Sequence, residues 1–123
     1  MVVYTPKEFK DTDEFFPYYL SQHRNNFNRL LHIIGNLLAN ILLIYCLFTK
    51  TILYLPLVPV LFYGFAWFGH LVFEKNKPAT WGYARLSLYC DYRMVYEILS
   101  GNVLNLFREF EIENIRYVDT DIF

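Results

Sequence analysis

Two long apolar runs dominate the middle of the chain and determine the predicted fold. The first covers residues 30–48, where the polar members are His32, Asn36 and Asn40. The second covers residues 52–73 and carries no formal charge. A helix needs about 20 mostly apolar residues to cross a bilayer, so both runs predict membrane spans. Because only a short break separates them, we expect an antiparallel helical hairpin.

Shorter helices are predicted on both sides of this hairpin, from acidic helix starts, apolar positions at helical spacing and a stop signal at Gly101. They cover residues 14–23, 87–99 and 103–110. The tail, residues 111–123, alternates weakly like a strand and has no obvious partner. The predicted fold is therefore all-α. It is a single membrane-embedded domain over residues 1–123, with the hairpin flanked by amphipathic or interfacial helices.

The composition favours a membrane location over the alternative, a soluble bundle with the hairpin buried inside it. Apolar residues make up 55% of the chain, aromatic residues 20% and charged residues 19%. A water-soluble core would struggle to cover that much apolar surface. Pro56 and Pro59 fall in the first turns of the second run, where a missing N–H matters least, and they predict a kink there.

Basic residues near the two runs predict the orientation of the hairpin. Lys50 stands alone in the turn, whereas the side that carries both termini has Arg24, Arg29, Lys75, Lys77 and Arg85. Basic segments stay in the cytoplasm, so we expect a multi-pass protein with cytoplasmic termini, in a bacterial inner membrane or the endoplasmic reticulum. The mixed, charged N-terminus does not have the pattern of a signal peptide.

Several classes of function are not indicated by the sequence. The net charge of -1 argues against nucleic-acid binding. Cys46 lies in an apolar run and Cys90 in a helical pattern, which does not indicate a disulfide framework. Ser21 and Ser87 have no placed base and acid, and there is no glycine-rich phosphate loop. The candidate chemistry therefore lies with the histidines.

The chain has three histidines, His23, His32 and His70. His32 and His70 lie at nearly equal sequence distances from the hairpin turn, so both are expected at the same depth of the membrane. In one continuous helix, His23 and His32 would point to opposite faces. Asn25 and Asn26 favour a helix break between them, and with that break the three imidazoles can converge.

Polar residues accompany these histidines on both spans. Lipid cannot satisfy amide groups, so such stripes are expected to face protein or a wet cavity. On the first span they recur every four residues, at Asn28, His32, Asn36 and Asn40. On the second span one face carries Tyr63, Trp67, His70 and Glu74, and in the preceding helix Tyr19 stands four residues before His23.

Each of these residues, taken alone, also has a structural explanation. A histidine can cap a helix, amides can bond between helices, Glu74 can pair with Lys77 or Arg85, and basic residues can contact lipid headgroups. Taken together at one depth, the three histidines and Glu74 indicate a functional site, because ionisable groups inside a membrane are costly. Imidazoles with one carboxylate suit Fe, Zn, Cu or Ni. Two histidines and a carboxylate would indicate a non-haem Fe(II) oxygenase, with Zn-dependent hydrolysis as the competing assignment.

Three segments of the chain resemble a known family. They are YYLSQHRNNFNRLLHIIG, AWFGHLVFEKNKPAT and SLYCDYRMVYEILSG. The first two contain the patterns H-x4-N-R-x2-H and G-H-x3-E-x-N-x-P-A. They resemble small membrane proteins related to the 2-hydroxy-palmitic acid dioxygenase of phytosphingosine degradation. The resemblance covers about residues 15–102. This chain resembles a compact form with one membrane hairpin, whereas the fungal member of the family has additional apolar sequence.

This resemblance implies an Fe(II)-dependent enzyme that uses O2 to shorten a 2-hydroxy fatty acid by one carbon. It implies iron ligation by His23, His32 and His70. Glu74, Asn28 and Asn76 are implied as further ligands or as groups that orient the ligands. Neighbouring asparagine and tyrosine residues, such as Asn36 and Tyr19, would orient the imidazoles.

The substrate is expected to span the interface between the site and the bilayer. Its acyl chain would lie along the hairpin, beside the stripe that includes Trp67, while Arg24, Arg29 or Lys75 would neutralise its headgroup. Two readings compete with this one: a Zn-dependent lipid hydrolase, and a non-enzymatic lipid-binding or assembly protein. Because two spans bury little surface alone, a homodimer is a further expectation.

Overall fold

The computed structural model describes residues 3–5, 9 and 11–117. Within these residues the chain is almost entirely helical, which confirms the predicted fold class. A π-helical turn, His70–Glu74, extends α3, and 3₁₀ turns cover Ala79–Trp81 and Ile112–Asn114. The α-helices are α1 (Thr12–Ser21), α2 (Asn26–Thr49), α3 (Leu57–Gly69), α4 (Ala84–Leu99) and α5 (Val103–Glu109).

Two three-residue strands join the ends of the described chain. Strand β1 (Val3–Thr5) pairs in parallel with β2 (Ile115–Tyr117), and Val3 lies opposite Ile115. The weak strand-like alternation of the tail therefore corresponds to a short strand, and β1 is the partner that the sequence did not reveal. The remainder of that tail, residues 118–123, lies outside the described residues.

Side-chain caps fix the break between α1 and α2. Asp11 caps α1 by accepting a hydrogen bond from the backbone N–H of Glu14 at 2.9 Å, so α1 begins two residues before its predicted start. It ends at Ser21, and Asn25 then caps α2 by accepting from the backbone of Phe27 at 2.8 Å and Asn28 at 3.3 Å. The break expected at the asparagines is present, and it separates His23 from the helix that carries His32.

The α2–α3 hairpin differs from its prediction at both starts. Helix α2 begins at Asn26, four residues before the predicted run, because the Asn25 cap lies upstream of the apolar sequence. Helix α3 begins at Leu57 instead of residue 52, since Pro56 occupies the cap position and the preceding residues form turns. The two helices touch at Gly35, where a Cβ atom would lie 2.9 Å from the Leu61 carbonyl oxygen.

Helix α2 and the segment Leu57–Glu74 are long and apolar enough to cross a membrane. Only 28% and 22% of the most apolar windows of these two segments are buried within the chain. Exposed apolar side chains include those of Ile41, Ile44 and Leu47 on α2 and of Val60 on α3. A hairpin at the centre of a soluble bundle would have buried these side chains.

The remaining helices form a small cap with its own apolar core. Helices α1, α4 and α5 meet around Phe15, Phe16, Leu20 and Met94, which are all fully buried. Helix α4 begins three residues before its predicted start, and α5 ends one residue before its predicted end. The open end of the hairpin, where α2 begins and α3 ends, faces this cap, so residues from α1, α4 and the hairpin meet in one region.

Candidate metal centre

Three buried imidazoles meet at the open end of the hairpin. His23 lies in the turn between α1 and α2, His32 in the second turn of α2, and His70 at the start of the π-helical turn. The Nε2 atom of His23 lies 3.1 Å from Nε2 of His32 and 3.0 Å from Nε2 of His70. Ligand atoms of all three rings lie within 4.8 Å of one another. The residues predicted to share one depth therefore form a single cluster.

The Nδ1 atom of each ring faces an oxygen that can only accept a hydrogen bond. His23 Nδ1 faces the backbone carbonyl of Tyr19, and His32 Nδ1 lies 2.9 Å from the carbonyl of Asn28. His70 Nδ1 lies 2.7 Å from Oδ1 of Asn76. Each Nδ1 must therefore carry the proton, which leaves Nε2 of the neutral ring as a free lone pair.

This arrangement points three nitrogen lone pairs at one another. Without a proton or a cation between them, lone pairs at hydrogen-bond distance repel. Burial holds the pKa of His23 well below its usual range, and the neighbouring His32 and His70 lower it further, so protonation of that ring is disfavoured. The cluster therefore fits a metal ion, which prefers neutral imidazole nitrogen and tolerates burial when coordinated.

Asn76 holds the ring of His70 through a hydrogen-bond chain that returns to α1. Its Nδ2 atom donates to the backbone carbonyl of Gln22 at 3.1 Å and to the Gln22 side-chain oxygen at 3.0 Å. A backbone carbonyl cannot donate, so the amide must turn its oxygen toward His70. Outer groups of this kind fix the tautomer and the orientation of a metal-binding histidine.

Glu74 lies behind Asn28 and not within the histidine cluster. Its carboxylate accepts hydrogen bonds from the backbone N–H of Asn25 and from Nδ2 of Asn28. Among the described residues, the group of ligand atoms that meets at the cluster consists of the three histidines. The structure thus brings three histidines together, whereas the sequence alone had left open two histidines and a carboxylate.

Asn28 is enclosed so tightly that its neighbour must be a glycine. Its side chain is fully buried, and within the described residues its Oδ1 atom has no hydrogen-bond partner. A Cβ atom placed on Gly69 would lie 2.1 Å from that oxygen. Gly69 therefore allows α3 to approach the start of α2 beside His32 and His70.

Arg24 of the break and Arg29 of α2 both donate hydrogen bonds to backbone carbonyls. Arg29 donates to the carbonyls of His23 at 2.6 Å and Arg24 at 2.9 Å, and its guanidinium lies over the ring of Phe107. Arg24 donates to the carbonyls of Ser21 at 3.0 Å and Ile112 at 2.7 Å. Lys75, the third residue expected near a headgroup, is exposed and ends the π-helical turn with a positive φ of 59°.

A narrow cavity lies beside two of the histidines. Its walls include His32 and His70, the predicted residues Tyr19 and Trp67, and Ser87 and Asp91 of α4. Tyr19 connects the cluster to α4, since its ring stacks on His23 and its hydroxyl donates to Asp91 at 3.1 Å. Asn36, also predicted, donates to the other oxygen of Asp91 at 2.8 Å.

Burial raises the pKa of Asp91 to about 6, although the hydrogen bonds from Asn36 and Tyr19 act in the opposite direction. The pKa of Tyr19 is also raised well above its usual value, first by burial and then by Asp91. The buried carboxyl group of Asp91 and the Tyr19 side chain form part of the cavity wall, and Asn36 bonds to Asp91.

Sequence reasoning missed three residues of this region: Gln22, Ser87 as a cavity residue, and Asp91. Asp91 could have been predicted from the sequence, because it is an acidic residue on the otherwise largely apolar face of α4 that buries Cys90 and Met94, four residues after Ser87. Gln22 gave no such signal, since its role depends on the fold that brings Asn76 to the end of α1.

The fold and site define a class of protein: a helical hairpin with membrane-length helices and a buried cluster of three histidines that could hold a metal ion. Residues 9–103 match the family model described as 2-hydroxy-palmitic acid dioxygenase Mpo1-like. The match covers most of the chain, which therefore belongs to this family. In the same comparisons no curated protein and no solved structure matches the chain.

Proposed function

We propose that this protein is an Fe(II)-dependent dioxygenase that converts a 2-hydroxy fatty acid and O2 into the fatty acid one carbon shorter. The observation that carries the proposal is the convergence of three buried imidazoles, each with Nδ1 facing an acceptor oxygen, in a chain of the dioxygenase family. Carbon dioxide and water balance the reaction. The bond between the carboxyl carbon and the hydroxyl-bearing carbon breaks, both carbons are oxidised, and O2 takes up all the electrons released.

His23, His32 and His70 would hold the metal through their Nε2 atoms. Imidazole nitrogen suits several transition metals, so the choice of iron rests on the family's description as dioxygenases. When bound, iron supplies the redox chemistry that allows O2 to react with a closed-shell organic acid. The metal would be held without a protein carboxylate, which leaves positions for ligands from the substrate.

The chain's own residues orient the rings and exclude water. The carbonyls of Tyr19 and Asn28 and the amide oxygen of Asn76 hold one Nδ1 proton each, which keeps every Nε2 available. Glu74 acts through Asn28 and the start of α2, so we assign it as a positioning residue. The full burial of the rings strengthens each of these hydrogen bonds.

We further propose that the hairpin crosses a membrane with both termini in the cytoplasm. The exposed apolar sides of α2 and α3 support this location. Lys50 lies at the hairpin turn, while Lys75, Lys77 and Arg85 are exposed at the opposite end. Lys75 is better placed than Arg24 or Arg29 to meet a carboxylate or a lipid headgroup there, because the two arginines already donate to backbone carbonyls.

The proposal is tested by product analysis of purified protein. The protein is loaded with Fe(II) under anaerobic conditions in detergent, mixed with 2-hydroxypalmitic acid and exposed to O2. We expect equal amounts of O2 consumed and shortened acid formed, with no product from Zn(II)-loaded protein or from His70→Ala. Iron-loaded protein that leaves the acid unchanged would contradict the proposal. A parallel assay of Zn(II)-loaded protein with an ester-linked lipid tests the competing hydrolase, because hydrolysis needs an ester or amide bond and no O2.

A further inference from the structure

We infer that the substrate's acyl chain lies in an apolar groove between α2, α3 and α4 and that the Ser87 hydroxyl donates a hydrogen bond to the substrate's polar head. The inference rests on the proposed function, because that function names a long-chain 2-hydroxy acid as the ligand. It adds the position of the chain, the polar contact and the residues that select chain length.

Ser87 presents a buried side-chain hydroxyl group to the cavity. It is 2% exposed, and within the described part of the chain its Oγ atom has no hydrogen-bond partner. A buried hydroxyl without a partner costs free energy, which a bound acceptor would recover. Ser87 lines the cavity that also contains His32 and His70. The neighbouring Asp91 already accepts a hydrogen bond at each carboxylate oxygen. Of these two side chains, Ser87 is therefore the one that can donate a hydrogen bond to a substrate.

An apolar groove continues from this cavity toward the hairpin turn. It has a volume of about 180 Å³ and is walled by Ala39 and Leu43 of α2, Val58 of α3 and Tyr92 of α4. Phe62, Tyr63 and Leu88 line both the cavity and the groove, so the two spaces are adjacent. The polar cavity has a volume of only about 10 Å³, so a carboxylate and hydroxyl head would have to displace side chains of its wall, whereas the groove has room for part of a hydrocarbon tail.

The direction of the groove agrees with a lipid substrate. From His32 to Leu43 the groove side of α2 advances eleven residues, or about 16 Å at 1.5 Å per residue. Helix α3 runs antiparallel, and its Val58 lies twelve residues before His70. The groove therefore leads from the depth of the histidines into the apolar part of the hairpin, where a membrane would hold an acyl chain.

The first experiment fills the groove and measures binding without turnover. Zn(II)-loaded protein in lipid nanodiscs is titrated with 2-hydroxypalmitic acid and with 2-hydroxyoctanoic acid. Leu43→Trp is expected to weaken binding of the long acid by about tenfold, as when a few buried methylene groups are displaced, and to leave the short acid nearly unaffected. Ile41→Trp is the matched control, since Ile41 is 63% exposed on the same helix and away from the groove.

A second pair of variants, on α3, tests the groove independently in case Leu43→Trp impairs folding. Val58 lines the groove, whereas Val60 is 61% exposed. We expect Val58→Trp to repeat the chain-length effect and Val60→Trp to behave like wild type, with metal content unchanged in both. If each groove variant matches its control for both acids, the groove does not hold the chain and the inference is overturned.

Ser87→Ala tests the polar contact. Its control is Ser100→Ala, since Ser100 is exposed at the C-terminal end of α4. The loss of a donor to a carboxylate is expected to weaken binding of both acids by about tenfold. The thermal stability of the ligand-free protein should not fall, because Oγ has no partner to lose. Lower stability with unchanged affinity would overturn the role of Ser87.

These outcomes separate the groove from the reaction. Iron-loaded protein without activity, together with chain-length-dependent binding that Leu43→Trp and Val58→Trp abolish, would refute the dioxygenase and support the groove. Activity that persists with the same chain-length profile in both tryptophan variants would refute the groove and support the dioxygenase.

Discussion

Toward the turn of the α2–α3 hairpin, the two helices present apolar side chains outward, and Ile44, Leu47 and Val60 are more than half exposed. At the open end, the same two helices bury His32, Asn28 and His70. One half contributes apolar surface whose partner would be lipid, and the other contributes polar groups whose partners are other parts of the chain. Within the hairpin, burial therefore follows the hydrogen-bond network and not side-chain hydrophobicity, in contrast to the apolar core of the cap.

The largest expected effect comes from removing a ligand at the polar end. His70→Ala deletes one of three converging nitrogens, so metal content should fall from about one ion per chain to nearly none. Ile44→Ala, in the apolar half, should leave metal content unchanged. Metal analysis of both purified variants measures the contrast. Wild-type metal content in His70→Ala would remove the functional distinction between the two ends.

The second effect concerns Asn76, which contacts the proposed metal ligand His70 but would not bind the metal itself. Asn76→Ala removes the oxygen that accepts the Nδ1 proton of His70 and the bonds to Gln22. Losses of such outer partners reduce metal affinity about 10–100-fold. Metal titration against a competing chelator gives the value, and Asn105→Ala on an exposed face of α5 is the control. Equal affinities in the two variants would mean that the network does not orient the ring.

The third effect tests the close contact between α2 and α3 at the polar end. Gly69→Ala places a Cβ atom 2.1 Å from Oδ1 of Asn28, so either the buried Asn28 side chain or the two helices must shift. Overpacking of this kind typically costs about 1–3 kcal/mol of stability. Gly64→Ala is the matched control, because nothing lies within 4 Å of its Cβ position. Thermal unfolding should distinguish the two variants, and equal melting temperatures would contradict the packing argument.

The smallest effect is expected for a polar contact outside the buried network. Asp13 forms an ion pair with Arg93 at 3.2 Å, but its side chain is 88% exposed. Exposed ion pairs contribute about 0–1 kcal/mol, so Asp13→Asn should change the free energy of unfolding by no more than that. Chemical unfolding at low and high salt measures it. A loss as large as that of Gly69→Ala would show that burial is not what distinguishes the network.

The sequence predicted the hairpin and the convergence of the histidines because both depend on local rules. Apolar runs of membrane length, a short turn and asparagine caps are read from neighbouring residues. The starts of α2 and α3 were misplaced, because Asn25 extends a helix beyond its apolar run and Pro56 delays one within it.

The surroundings of the histidines were harder to predict because they depend on long-range contacts. Asn76 reaches Gln22 across 54 residues, and Asn36 reaches Asp91 across 55. Charge alone predicts that Arg24 and Arg29 contact a headgroup. The backbone carbonyls to which they donate come within reach only when the break between α1 and α2 is folded. The protonation pattern of the rings follows from such contacts as well.

The most direct test of the central claim is ¹⁵N NMR of the histidine rings in protein loaded with diamagnetic Zn(II). The chain has three histidines, so the spectrum contains three ring systems. The structure predicts that every ring carries its proton on Nδ1 and that every Nε2 resonance shifts when metal is added. A ring with a protonated Nε2, or a spectrum that zinc leaves unchanged, would contradict the metal centre.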